Sequence, residues 1–206
     1  MLYYEIHVTV KVNDVEQFRA ECEKLKVKPI ILDLQQRSGN VFAEVMTSST
    51  VETLDVTIQT AAAEVERISA AMQHAGFNVE RCKIETVPWH PDVPTAFNAK
   101  DHFPGSHFET HFGIVVSEGE QETALREVAN TFDLHLSKNV FKRLPNNRYV
   151  QMATYRSYTD LKEQFEEKVH QITDALSVSR LPLEKDPKIE FSIFDSDYTY
   201  DQQWLS

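Results

Sequence analysis

The sequence predicts an α+β chain in which one βαββαβ unit is used twice, and three observations predict it. The segment Tyr4-Glu5-Ile6-His7-Val8 returns as Phe108-Glu109-Thr110-His111-Phe112 at an offset of 104 residues. At that offset Val65 and Ile68 fall on Val169 and Ile172, and Lys83-Ile84-Glu85 returns as Lys188-Ile189-Glu190 after one inserted residue. Within each copy the apolar spacing alternates between the period of a strand and that of a helix in the order β, α, β, β, α, β. That order is the split βαβ, or ferredoxin-like, motif, in which both helices cover one face of an antiparallel sheet.

Residues 3 to 11 alternate, with Tyr4, Ile6, Val8 and Val10 on one side and Tyr3, Glu5, His7 and Thr9 on the other, which is a strand with one buried face. Asn13, three residues before Glu16, predicts an N-cap, and Phe18, Cys22 and Leu25 follow at helical spacing. The runs 28 to 34 and 40 to 47 are apolar and β-branched, and Gln-Gln-Arg-Ser-Gly between them predicts a hairpin with Gly39 at positive φ. Val65, Ile68, Ala71, Met72 and Ala75 mark a second helix that Gly76 ends, and residues 79 to 87 alternate as a fourth strand.

The second copy reads alike, with strand 108 to 116, helix 120 to 132, strands 138 to 144 and 148 to 154 about a Pro145-Asn146-Asn147 turn, helix 159 to 176 and strand 187 to 194. Lys28 to Leu34 is matched with Lys138 to Leu144, and Met46 with Met152. The expected organisation is a first repeat over 1–87, a linker over 88–107 carrying Pro88, Pro91, Pro94 and Pro104, and a second repeat over 108–206 with an acidic, aromatic tail. Prolines deny the linker a helix, while Trp89, Phe97 and Phe103 predict a strap packed on the protein.

A formal charge of -11 opposes binding to phosphate backbones or anionic lipid, so neither nucleic acid nor a membrane is an expected partner. No apolar run approaches the roughly 20 residues of a membrane span, and the start of the chain alternates instead of resembling a leader, which makes the cytoplasm the expected location. Cys22 and Cys82 lack any ligand spacing and read as reduced core thiols.

Chemistry is expected on the sheet faces that the helices leave open. Glu5 and His7 point there, as do Glu109 and His111. Because the fourth strand of such a unit lies beside the first, Lys83 and Glu85, and their copies Lys188 and Glu190, should line the same surface. Each half then shows a Glu, His, Lys, Glu quartet. Two half-open sheets with polar centres are expected to turn toward one another or toward a shared cleft, making a polar pocket for a small anionic ligand.

There Glu5, His7, Glu109 and His111 would transfer protons or ligate a divalent metal, and Lys28, Lys83, Lys138 and Lys188 would supply positive charge. The alternative is a non-catalytic ligand-sensing or dimerisation module in which a homodimer covers the open faces. The plain reading is solvated decoration, since water-facing strands carry Glu, His and Lys as a matter of course. His90, His102 and His107 belong to the linker or its end, where a strap can close over the pocket, and His74 and His170 are expected to face solvent.

His7-Val8-Thr9-Val10 resembles the His-x-Thr-x motif of the 2H phosphoesterases, bilobal proteins whose two motifs face one cleft and whose histidines act as acid and base on a phosphodiester. In the repeat partner, His111-Phe112-Gly113-Ile114, Gly113 stands where that family has a hydroxyl residue, and His135-Leu136-Ser137 has the hydroxyl outside the repeat register. His111 to Ser117 also resembles the first strand of vicinal oxygen chelate enzymes, which hold a metal with His and Glu, although their units are βαβββ and each copy here has a second long helix. No Gly-rich phosphate loop, nucleophile elbow or HExxH motif is present.

Overall fold

The structure, a computed structural model, describes residues 2–35, 41–52, 57–93, 105–117, 119–146 and 148–200. The elements run β1 (Tyr4–Lys11), α1 (Val15–Leu25), β2 (Lys28–Gln35), β3 (Val41–Val51), α2 (Ile58–His74), β4 (Asn78–Thr86), β5 (His107–Ser117), α3 (Glu120–Phe132), β6 (His135–Leu144), β7 (Arg148–Ser157), α4 (Lys162–Val178) and β8 (Lys188–Asp195). The doubled βαββαβ order is therefore as the sequence predicts.

Local signals explain most of the boundaries. Asp14, not Asn13, caps α1, its carboxylate accepting from the Glu16 and Gln17 amides. At the end of α2, Gly76 has a φ of 90° and the Phe77 amide reaches back to the Met72 carbonyl at 3.0 Å, the left-handed cap that Gly76 predicts. The hairpin assigned to Gly39 lies outside the described residues.

The two halves do not form two sheets. One eight-stranded sheet runs β2-β3-β1-β4-β8-β5-β7-β6, with β4 and β8 pairing antiparallel at the seam. This corrects the expectation of two separate sheets turned toward one another or toward a shared cleft only in that the sheets are joined: the last strand of each repeat is an edge, and an unpaired edge is satisfied most directly by another edge. The helices lie on one side, α1 against β2, α2 against β1 and β4, and α3 and α4 against β5. Tyr4, Ile6, Val8, Phe18, Ile68 and Met72 make the core of the first half, and Phe108, Phe112, Ile114, Leu125, Phe165 and Ile172 that of the second, all fully buried.

The end strands β2 and β6 approach within 8 Å at Cα although, among the described residues, no ladder joins them. Accumulated strand twist thus curls the sheet into a barrel-like wall with the helices outside and the open faces of both repeats turned inward. One hollow is reached by a different route from the one expected. The described part of the linker packs on the outer side: Val87, His90 and Val93 are buried, and the His90 ring lies 4.7 Å from that of Tyr4. His90 therefore braces the helical side and does not close the hollow, while His102 lies outside the described residues.

Candidate functional site

Strand register assembles the site row by row, because residues directly opposite one another in antiparallel strands share a face. In the first repeat Glu5 stands opposite Glu85, and His7 opposite Lys83. In the second, Glu109 stands opposite Glu190, and His111 opposite Lys188. Both quartets thus form on the concave face, and the seam makes them neighbours.

The lysines cross that seam in both directions. Lys83 of the first repeat lies 2.5 Å from Glu85 and donates to Glu109 of the second at 2.7 Å. Lys188 of the second lies 2.5 Å from Glu190 and donates to Glu5 of the first at 3.3 Å. His7 Nε2 lies 3.1 Å from Glu85, and His111 Nε2 lies 3.2 Å from Glu109. A continuous path of ionic contacts therefore runs from His7 through Glu85, Lys83 and Glu109 to His111.

Burial sets the charge states. Desolvation alone would neutralise Glu109, but Arg156 and Lys83 outweigh it and hold its carboxyl well below the usual range. Desolvation likewise opposes ionisation of Glu85, and Lys83 and His7 reverse the balance. For Lys83 burial works against the ammonium, while Glu109 and Glu85 keep it above the ordinary lysine range. Glu190 moves the other way, pushed up by burial and by the neighbouring charge of Glu85.

The two histidines are placed differently. In His7, Nδ1 faces the Thr47 carbonyl at 3.2 Å and Nε2 faces Glu85 and, at 3.6 Å, Glu5. Every neighbour is an acceptor, so both nitrogens must donate and the ring is held as imidazolium. Burial opposes this charge, and Glu85 and Glu5 overcome it to raise the pKa. In His111, Nε2 faces Glu109, but Nδ1 meets the Thr154 hydroxyl at 2.8 Å. A hydroxyl can donate or accept, so this ring can be neutral or charged without losing a hydrogen bond. Desolvation lowers its pKa, and Glu109 raises it further than that. The His111 side chain is 41% exposed, against 13% for His7.

The remaining candidates fall out unevenly. Lys28 shares the His7 row through Ser48 but is exposed. Lys138 stands opposite Gln151, in the row of the core residue Ile114, so register does not bring it to the His111 row. The residue in Lys28's place is His135, opposite Thr154. Among the described residues no group of three or more His, Cys, Asp or Glu side chains is placed to hold a metal ion. The physical reason is visible in the network: Lys83, Arg156 and Lys188 already meet the carboxylates expected to ligate it. Thr9 and Gly113 sit in equivalent rows, opposite Met46 and Met152, so the hydroxyl of the first phosphoesterase-like motif has no counterpart in the second. His74 and His170 are exposed, as expected.

Arg156 and Thr154 complete the site beyond the residues that the sequence points to. Arg156 grips Glu109 from the neighbouring strand, with Nε at 2.6 Å. Its counterpart across from Glu5 is Thr50. Their signal in the sequence was only their place on the strand beside the Glu-x-His segment.

No protein-family model matches the chain, and no curated protein matches it. Among solved structures, it is similar to an unknown protein from Galdieria sulphuraria, at 12% identity over 92% of this chain and 96% of that one with a TM-score of 0.27. It is also similar to a mutant chlorite dismutase from Candidatus Nitrospira defluvii, at 10% identity over 99% and 96% with a TM-score of 0.30. A third is the acetolactate synthase small subunit from Thermotoga maritima, at 10% identity over 93% and 98% with a TM-score of 0.27. Likenesses this distant carry no argument about activity. Among the described residues no helix is long and apolar enough to cross a membrane.

Proposed function

We propose that the concave face is a pocket for a small anionic molecule, in which His111 gives or takes a proton, Glu109 orients the imidazole and Lys188 draws negative charge. One observation carries this reading: His111 is held at both ring nitrogens by partners that tolerate either protonation state, while its side chain remains 41% exposed. Lys188, directly across the strand pair, is half-exposed, so a ligand touching one can touch the other. Glu190, pushed up by burial, is a second group able to hold a proton beside them. His7, Glu5, Glu85 and Lys83 build and charge the wall. The self-neutralised network disfavours the divalent metal, and a sensing role without turnover would use the same residues.

The test is a thermal-shift panel of inorganic phosphate, acetate and a cyclic phosphodiester at millimolar concentration, with turnover of the phosphodiester followed in parallel. At least one anion should raise the melting temperature of the wild type by a few degrees and of His111→Ala and Lys188→Ala by much less. No shift across the panel, or equal shifts in all three proteins, would refute the pocket. Turnover lost in His111→Ala would make it an enzyme.

A further inference from the structure

Three polar atoms of the concave face are buried and lack hydrogen-bond partners: Glu85 Oε1, which faces the Lys83 ammonium at 2.5 Å, and His107 Nε2 and Ser192 Oγ, in side chains that are fully buried. They are not scattered. His107 and Ser192 are direct cross-strand partners of β5 and β8, and Ser192 is also the partner of Glu85 across the seam. The row lies one step from the Glu109–Glu190 row, on the same face.

The ring of His107 is assigned by its other nitrogen. Nδ1 lies 2.6 Å from the Gly105 carbonyl, which can only accept, so Nδ1 carries a proton and Nε2 is the ring nitrogen left without a hydrogen-bond partner. The neighbouring Glu109 oxygen is 3.7 Å from Nε2, too far for a hydrogen bond. Gly105 is fixed in turn: its φ is 86°, and a Cβ there would come within 2.7 Å of the Tyr198 ring. Tyr158, 40% exposed, lies over His107 with ring centroids 4.9 Å apart, so a side chain able to swing into solvent covers the place.

The chemistry of a matching group follows from these atoms. Unprotonated, His107 Nε2 asks for a donor, and Ser192 Oγ can give or take a proton. A cation is disfavoured, because Lys83 and Arg156 already crowd Glu109. An anion would face the lone pair of Nε2 and the carboxylates of Glu85 and Glu109. An uncharged O–H answers every requirement, donating to His107 and accepting from Ser192. We infer that His107 keeps Nε2 unprotonated and, with Ser192, forms a subsite under Tyr158 for one neutral hydroxyl group, belonging either to an internal water or to an alcohol-bearing ligand. This holds whatever His111 does.

Side-chain ¹⁵N NMR of the full chain at pH 7 tests it, with ethylene glycol as the probe. His107 Nε2 should resonate as an unprotonated, hydrogen-bonded nitrogen. A saturable glycol-induced shift at Nε2, at least tenfold weaker in Ser192→Ala, identifies a ligand hydroxyl. Absence of that shift together with a long-lived water cross-peak to the Tyr158 ring or the Ser192 β-protons identifies a water. A protonated Nε2, or neither a glycol response nor a bound water, overturns the subsite. If Ser192→Ala does not fold, these wild-type spectra still decide.

Discussion

Glu5 and Glu109 hold equivalent places in the two repeats, each in a Glu-x-His segment, beside a carboxylate of the last strand and reached by a lysine from the other half. Yet Glu109 is 2% exposed and gripped by Arg156 and Lys83, whereas Glu5 is 23% exposed and meets Lys188, the Ser48 hydroxyl and His7. One substitution of context separates them: across the strand pair stands Arg156 in one copy and Thr50 in the other. A carboxylate with two buried cations becomes a fixed charge, and one at the rim stays exchangeable with solvent. The histidines diverge for the same kind of reason, His7 among acceptors only and His111 beside a hydroxyl. Duplication supplied two copies of the side chains, and the neighbouring strand decided what each does.

The largest effect should come from breaking the buried member. Glu109→Gln leaves Lys83 and Arg156 without their shared carboxylate, and chemical denaturation should show a loss of about 3–5 kcal/mol, as expected when one partner of a buried ion pair is removed. Glu5→Gln should cost below about 1 kcal/mol, the scale of partly solvated pairs. Equal costs would erase the distinction between the two sites. Next comes the lysine pair: Lys83→Met should cost several-fold more than Lys188→Met, since the first side chain is 10% exposed and the second 50%.

A smaller effect is the pH dependence of stability. Glu109 and Glu85 are depressed in the folded chain, so their contribution is complete above the ordinary carboxyl value of 4.5 and fades as the pH falls through their folded values. His7 is raised, so its contribution is complete below 6.5 and fades as the pH climbs through its folded value. Urea titrations should therefore find stability greatest between about pH 4.5 and 6.5, with His7→Gln reducing the alkaline decline to the part that His111, also raised, contributes, and leaving the acidic one. A stability that kept rising from pH 6.5 to 8 would contradict the imidazolium assigned to His7.

Much of this is legible in the amino-acid sequence. Alternation placed Glu5 and His7 opposite the core side, and the repeat offset placed Glu109 and His111 with them. The rule that the fourth strand lies beside the first put Lys83 and Glu85, and Lys188 and Glu190, in their rows. What alternation cannot encode is which edges meet: β4 and β8 carry the same pattern whether they face solvent or each other. The alignment of Lys28 with Lys138 failed because β6 has a register shift between Lys138 and Arg143, which breaks the count of residues from the hairpin. Arg156 and Thr154 could be placed only once the β5–β7 register was known. The orphaned atoms of His107 and Ser192 come from two strands 85 residues apart in sequence.

The divergence of the two histidines is tested most directly by following the ring nitrogens of His7 and His111 by ¹⁵N NMR between pH 5 and 9 in the full chain. His111 should lose its proton first, from Nδ1, and settle with Nε2 protonated toward Glu109, while His7 remains doubly protonated beyond that point. His7 deprotonating before His111, or the two titrating together, would contradict the account.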